Sequence, residues 1–211
     1  MDGTLIDSEG LWLAAEIDLM SGLGSTWTQD DQRICLGGPL ERVAAYMVDR
    51  ADTDLTAQDI GLMLLSAVEV RMRESDLAWR PGARELLVEA HARSIPTALV
   101  SASWNLLIDA VSGKIQDDLG RVAFDVVVAG DDVTNSKPHP EPYQMAATRL
   151  GFASSACLAL EDSPTGVASA VSAGCVVVAI PHLAEIPTDG AFVVRTLEGW
   201  TIDTLWAAAR Q

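Results

Sequence analysis

Positive charge is what this sequence has least of. Of 211 residues, 14 are Lys or Arg against 30 Asp or Glu, a formal charge of −16 at pH 7, and only Lys114 and Lys137 are lysines. Nucleic acid and acidic lipid are attracted by clustered basic residues, so neither partner is expected; a divalent cation is the more natural companion. Long apolar runs are missing too. None approaches the roughly 18 to 20 residues that a membrane span needs, and the N-terminus has neither the basic segment nor the apolar stretch of a signal peptide. No membrane association is expected, and the cytoplasm is the expected location. Cysteine is scarce: Cys35, Cys157 and Cys175 have no metal-ligand spacing, and two of them lie in apolar runs. They read as buried, reduced thiols.

What is present suits a globular chain. The composition is 49% hydrophobic, enough at this length for one large domain or a domain carrying an insert. From about residue 80 onward, short apolar runs alternate with segments of helical period. Ile95 to Val100, Phe124 to Ala129, Ala156 to Leu160, Cys175 to Ile180 and Ala191 to Val194 read as strands. Pro81 to Arg93, Trp104 to Leu119, Pro140 to Leu150 and Pro164 to Ala173 read as helices, three of them opening at or near a proline, which the first helical turn tolerates. Strict alternation of the two predicts an α/β fold with a doubly wound, Rossmann-like parallel sheet. Residues 9–78 differ. Leu11 to Met20, Pro39 to Arg50 and Thr56 to Arg73 read as helices with no strand among them, so the expected division is a core of 1–8 and 79–211 with a helical insert of 9–78.

Ligands of open parallel sheets bind beyond the carboxyl ends of the strands, and there the polar residues gather. The run Ile95 to Val100 hands over to Ser101-Ala102-Ser103, and Phe124 to Ala129 to Gly130-Asp131-Asp132 and Ser136-Lys137-Pro138. Ala156 to Leu160 ends in Glu161-Asp162-Ser163. The chain itself opens Met1-Asp2-Gly3-Thr4, a turn that suits a phosphate site. Each has an ordinary structural reading as well: Asp162-Ser163 before Pro164 is a good helix N-cap, Lys137 reads also as an exposed loop residue, and Ser101 as a strand end. Asp131 and Asp132 read as turn residues, and His139, between two prolines, as part of a loop.

Taken in order, these four segments resemble the motifs of the haloacid dehalogenase superfamily of phosphatases and phosphomutases, in the helical-cap branch that includes phosphoglycolate phosphatases and β-phosphoglucomutases. The resemblance implies a Mg²⁺-dependent hydrolase acting on a small phosphorylated metabolite, a sugar or glycolytic phosphate, through an aspartyl-phosphate. It implies Asp2 as general acid and base, its carbonyl on the metal, with Glu161 and Asp162 as metal carboxylates. Ser101 and the Ala102 N–H would hold phosphate oxygens, Lys137 would supply positive charge, and Gly3, Thr4 and Asn105 complete the substrate contacts. The cap would select substrate and exclude water. A monomer or weak homodimer is expected.

Departures from the pattern narrow the reaction. The second acid, Asp2, favours phosphate chemistry over dehalogenation, and the absence of lysine from 9–78 disfavours phosphonate cleavage by a Schiff base. A β-phosphoglucomutase-like activity is the alternative; against it, Trp104 stands where those enzymes have lysine, and Leu36 to Pro39 lacks their Ser-Arg pair. The remaining alternative is a non-catalytic, phosphate-binding relative.

The nucleophile of the family, two positions before Asp2, would fall immediately before Met1, together with a central first strand. Without that strand, two neighbouring strands lose a partner, and about four aliphatic side chains forfeit on the order of 6 to 10 kcal/mol of burial. The expectation is therefore a start assigned too late, by roughly 5 to 10 residues, and a 211-residue form that is inactive. An in-frame Asp codon directly upstream of the Met1 codon is the expected finding when the nucleotide sequence is read; a stop codon there overturns it.

Overall fold

The computed structural model describes residues 1–35, 40–183, 185–186 and 189–211. The chain forms two compact units, Ser8–Asp76 on one hand and Met1–Asp7 with Leu77–Gln211 on the other. No helix among the described residues is long and apolar enough to cross a membrane.

The smaller unit is helical: α1 (Glu9–Gly22), α2 (Gln29–Cys35), α3 (Leu40–Ala51) and α4 (Ala57–Glu74). Helix α4 begins where Thr56 and Asp59 close a reciprocal capping box, with N–H to side-chain distances of 3.2 and 3.0 Å. Its Ile60, Leu64, Leu65, Val68 and Met72 recur at helical spacing and are buried. Helix α2 is the element that apolar periodicity does not reveal. Its signal is the pair Thr28 and Asp31: the Thr28 N–H donates to Asp31 Oδ2 (2.9 Å) and the Asp31 N–H to Thr28 Oγ1 (3.3 Å). Asp31 also accepts from Tyr46 Oη at 2.8 Å and faces Arg50 Nε at 3.1 Å, and these partners, Thr28 foremost, lower its pKa to about 2.

The larger unit holds α5 (Ala83–Ala92), β1 (Ala98–Val100), α6 (Asn105–Leu119), β2 (Val126–Val128), α7 (Glu141–Leu150), β3 (Leu158–Glu161), α8 (Pro164–Ser172), β4 (Val176–Ala179), β5 (Phe192–Val193) and α9 (Ile202–Ala208). All five expected strands are present, each shorter than expected, with β3 running one residue further, to Glu161, and every ladder is parallel. Helix α9 was not expected; Thr201 caps it by accepting from the Thr204 N–H at 3.3 Å. Successive residues of a strand face opposite sides. Leu158, Leu160 and Val178 accordingly pack with Ala83 and Leu86 of α5 and Leu205 of α9, whereas Ala159, Val177 and Ala179 pack with Tyr143 of α7 and Val167 and Ala170 of α8. Two layers of helix thus enclose the β3–β4 pair, the α/β class read from the sequence.

The single-sheet expectation needs correction. The strands form not one sheet but two, β1–β2 and β3–β4–β5. Residues 1–7 form no strand: the Leu5 N–H bonds back to Met1 O (2.8 Å), and Leu5 O and the Asp7 N–H tie the segment to Arg80 and Ala78 at 2.8 Å each. An apolar cavity of about 350 Å³ is lined by residues of both β1 and β3, with Met1 and Leu5. The cysteines are free thiols, but only Cys35 is buried; Cys157 and Cys175 are half-buried.

Within the helical unit Glu16 of α1 is only 5% exposed and accepts a hydrogen bond from Trp27 Nε1 at 2.9 Å. Burial, outweighing that bond, raises its pKa from 4.5 to about 7. Between those values the folded chain keeps a proton that the unfolded chain has lost. Stability is therefore greatest below about pH 4.5, falls as pH rises toward 7 and levels off beyond, a loss on the order of 3 kcal/mol from this group. Urea unfolding of Glu16→Gln is expected to lack this slope and to show the variant more stable than the parent at pH 8; parallel pH profiles would contradict the assignment.

Candidate active site

Strand registers bring the polar segments to one rim. In the parallel ladders Val100 pairs with Val128 and Glu161 with Ala179, so the residues that follow emerge at the carboxyl ends, where open sheets bind ligands. The Ser101 N–H bonds to Val128 O at 3.0 Å, and Ser101 Oγ accepts from the Ser103 N–H at 3.1 Å. The neighbouring loop comes close: the Gly130 N–H donates to Ser103 O at 2.9 Å. Ser103 then reaches the first segment, its hydroxyl donating to Asp2 Oδ2 at 2.8 Å.

Glu161 and Asp162 follow one another at the end of β3 and face opposite sides. Glu161 has the parity of Ala159 and meets the α7 side, where Lys137 Nζ and Tyr143 Oη both donate to its Oε1. Lys137 also donates to Val100 O at 3.1 Å. Asp162 turns to the first segment: Thr4 Oγ1 donates to its Oδ1 at 2.7 Å. Gly3 makes that approach possible, since a Cβ there would lie 2.1 Å from Asp162 Oδ2, on a backbone already at φ +70°. Burial raises the Asp162 pKa, with the Thr4 bond opposing. Ser163 caps α8 by accepting from the Gly166 N–H at 3.1 Å, so the cap and the carboxylates coexist.

The structure thus brings Asp2, Gly3, Thr4, Ser101, Lys137, Glu161 and Asp162 into one hydrogen-bonded neighbourhood. Thr4 is engaged with Asp162. Asn105 opens α6 with its amide donating to Asp131 Oδ1 (3.2 Å) and Asp132 Oδ1 (3.0 Å), and its own N–H is bonded to Asp131 at 2.9 Å. Asp131 and Asp132 are therefore turn residues; the Asp132 pKa is lowered by the Ala129 N–H and by Asn105. Ala102 is exposed, its carbonyl against Gly130. Trp104 is the N-cap residue of α6. The segment Leu36 to Pro39 lies outside the described residues.

Three nearby residues escaped sequence reasoning. Ser103 holds Asp2, Tyr143 holds Glu161, and His182 lies close to Gly3, its Nδ1 3.4 Å from where a Gly3 Cβ would stand. Ser103 and Tyr143 carried one faint signal each: the alternation Ser-x-Ser after a strand, and a hydroxyl on the apolar face of α7.

Among the described residues no group of three or more His, Cys, Asp or Glu side chains gathers as a metal site. The donor set still fits Mg²⁺, which takes one or two carboxylates and completes its shell with water and phosphate oxygens. Asp2, Glu161 and Asp162 all stand at this rim, and desolvation raises the Asp162 pKa against the Thr4 hydroxyl and the N-terminal ammonium, a penalty that a bound cation would relieve. Asp162, with Glu161 nearby and the Asp2 carbonyl, is the set that would hold it.

The family model described as haloacid dehalogenase-like hydrolase matches residues 1–180. Protein CbbY of Rhodobacter capsulatus is 30% identical over 217 residues, covering 100% of this chain and 93% of that protein. Hexitol phosphatase B of Escherichia coli K12 is 30% identical over 199 residues, covering 94% and 88%. A variant of CbbY from Rhodobacter sphaeroides, crystallised with xylulose-1,5-bisphosphate, superposes with a TM-score of 0.82 at 25% identity, covering 97% of this chain and 96% of that one.

The enclosure of Glu161 is testable by size alone. A Cβ at Gly166 would fall 1.9 Å from Glu161 Oε2 and 2.2 Å from its carboxyl carbon, so Gly166→Ala must shift the carboxylate and is expected to disturb its bond to Lys137. Breaking a buried pair costs about 3 to 5 kcal/mol, and urea unfolding is expected to show a loss of that order; an unchanged midpoint would mean the carboxylate has room to spare.

Proposed function

We infer that this chain, which belongs to the haloacid dehalogenase-like hydrolase family, serves Mg²⁺-dependent hydrolysis of a small phosphomonoester, with sugar phosphates the first candidates. The observation that carries the reading is the convergence of Asp2, Ser101, Lys137 and Asp162, drawn from four segments, on one strand-end rim. The substrate class rests on the relatives, whose names speak of hexitol phosphates and xylulose-1,5-bisphosphate. Residues 9–78 are assigned substrate selection.

The roles follow from the geometry. The Ser101 hydroxyl, which accepts from Ser103, keeps its own proton to donate to a phosphate oxygen. Lys137 has three N–H donors; Val100 O and Glu161 engage two, and the third is available to phosphate. Asp2, steadied by Ser103, gives a proton to the leaving alcohol oxygen as the P–O bond breaks, and takes one from water in the hydrolytic step. Mg²⁺, when bound, would neutralise phosphate oxygens. In the family's chemistry the phosphoryl group passes to a carboxylate that aligns immediately before Met1.

The test joins four or five aliphatic residues ending in Asp to the N-terminus and compares that protein with the 211-residue chain. Phosphate release is followed with Mg²⁺ and a panel of hexose, hexitol and pentulose phosphates. Turnover in the lengthened protein is expected, and Asp2→Asn should cut it by about 10² to 10⁴. A folded lengthened protein that releases no phosphate, or is indifferent to Asp2→Asn, overturns the reading. Conversion of glucose 1-phosphate to its 6-isomer outrunning release would favour the mutase, and binding without turnover a non-catalytic relative.

A further inference from the structure

We propose that Tyr143 is a positioning residue of this site, acting through Glu161 to hold the Lys137 ammonium in place. Insofar as Lys137 meets phosphate, this rests on the function proposed above.

Tyr143 touches both members of the ion pair. Its hydroxyl donates to Glu161 Oε1, the oxygen that also receives Lys137 Nζ, and its ring lies under the ammonium, 5.1 Å from Nζ to centroid. The Lys137 and Glu161 side chains are 9% and 5% exposed, so water does little to correct their geometry. On the other side, Gly166 closes against Glu161 Oε2. The carboxylate is thereby enclosed, with one oxygen shared by two donors. That sharing has a consequence for the lysine. A carboxylate oxygen already served by a hydroxyl draws the ammonium less completely, leaving Lys137 able to divide its donors between Val100 O, Glu161 and a third acceptor. Phenylalanine would fill the same apolar space among Ala159, Val167 and Val177. A buried hydroxyl there is costly unless bonded, and its bond is the one to Glu161.

The chain contains only two lysines, Lys114 and Lys137, so lysine labelled with ¹³C at Cε gives two signals, assigned with Lys114→Arg. Tyr143→Phe differs by one buried oxygen, and retention of the fold is checked by thermal unfolding. Without metal or phosphate, the variant is expected to shift the Lys137 signal. In a Glu161→Gln background, adding Tyr143→Phe should produce no further shift, because the two act as one unit. With MgCl₂ and inorganic phosphate in calorimetry, Tyr143→Phe should weaken phosphate binding by about 5- to 10-fold, and by less than about twofold in the Glu161→Gln background. A Lys137 signal unmoved by Tyr143→Phe, or moved equally in both backgrounds, overturns the proposal. A parent chain that binds no phosphate but shows the expected lysine shift would instead remove the phosphate reading and leave Tyr143 in its role.

Discussion

The arrangement of this site depends on burying negative charge at the end of β3. Glu161 and Asp162 are adjacent in the chain and sparingly exposed, and taking an ion out of water costs several kcal/mol unless partners replace the lost hydration. Strand geometry sends the two carboxylates to opposite faces, so each is supplied separately. Glu161 receives an ammonium and a phenol hydroxyl from the α7 side; Asp162 receives a threonine hydroxyl from the first segment. The supply is unequal. A formal cation bonds directly to Glu161, whereas Asp162 is bonded by a neutral hydroxyl, the N-terminal ammonium acts on it only through space, and burial raises its pKa.

That inequality explains why so many loops are fixed by side chains here. Thr4 meets Asp162 only because Gly3 leaves room at a left-handed backbone angle, and Asp2, one residue earlier, is then within reach of Ser103. The Val100 carbonyl, at the end of β1, is met by the Lys137 ammonium. Hydrogen bonds from side chains thus connect the β1–β2 ladder and the β3–β4–β5 ladder at the rim, where no backbone ladder joins them. Below the rim, residues of β1 and β3 line the apolar cavity instead. Polar groups in such a setting gain from low dielectric when satisfied and lose when not, which makes the rim the part most sensitive to single substitutions.

Much of this was legible in the sequence, and the reasons differ by element. Strands β1 to β5 stood out as β-branched runs because both faces of a parallel sheet are covered, and the reactive residues stood at their ends because the chain must turn there. Helix α2 did not stand out, since seven residues offer too few apolar repeats, and only its Thr28–Asp31 box marks it. The break between the two ladders is a tertiary fact that no local pattern records. Thr4 and Asn105 were assigned to substrate through the family resemblance, and a motif does not record which acceptors a donor meets in this chain; here they are Asp162 for Thr4 and Asp131 and Asp132 for Asn105. Tyr143 was hidden for the opposite reason. Its ring fits the apolar period of α7, and only the coordinates show where the hydroxyl goes.

A chain of charge −16 repels an anionic ester at long range, yet distance limits the effect. At physiological ionic strength charges are screened over about 8 Å, so an approaching phosphate responds to the rim rather than to the whole surface. In side-chain charge the rim has three carboxylates, Asp2, Glu161 and Asp162, against the Lys137 ammonium, with the N-terminal ammonium a second cation acting on Asp162. Part of the Lys137 ammonium's field is moreover turned inward, toward Glu161. If this rim takes a phosphate ester, as proposed, a divalent cation there would offset the local balance, and Asp162, whose pKa burial raises, is the carboxylate that would gain most from it. Under the proposed function, anion and cation would then be mutually dependent ligands, each improving the other's affinity by the same factor.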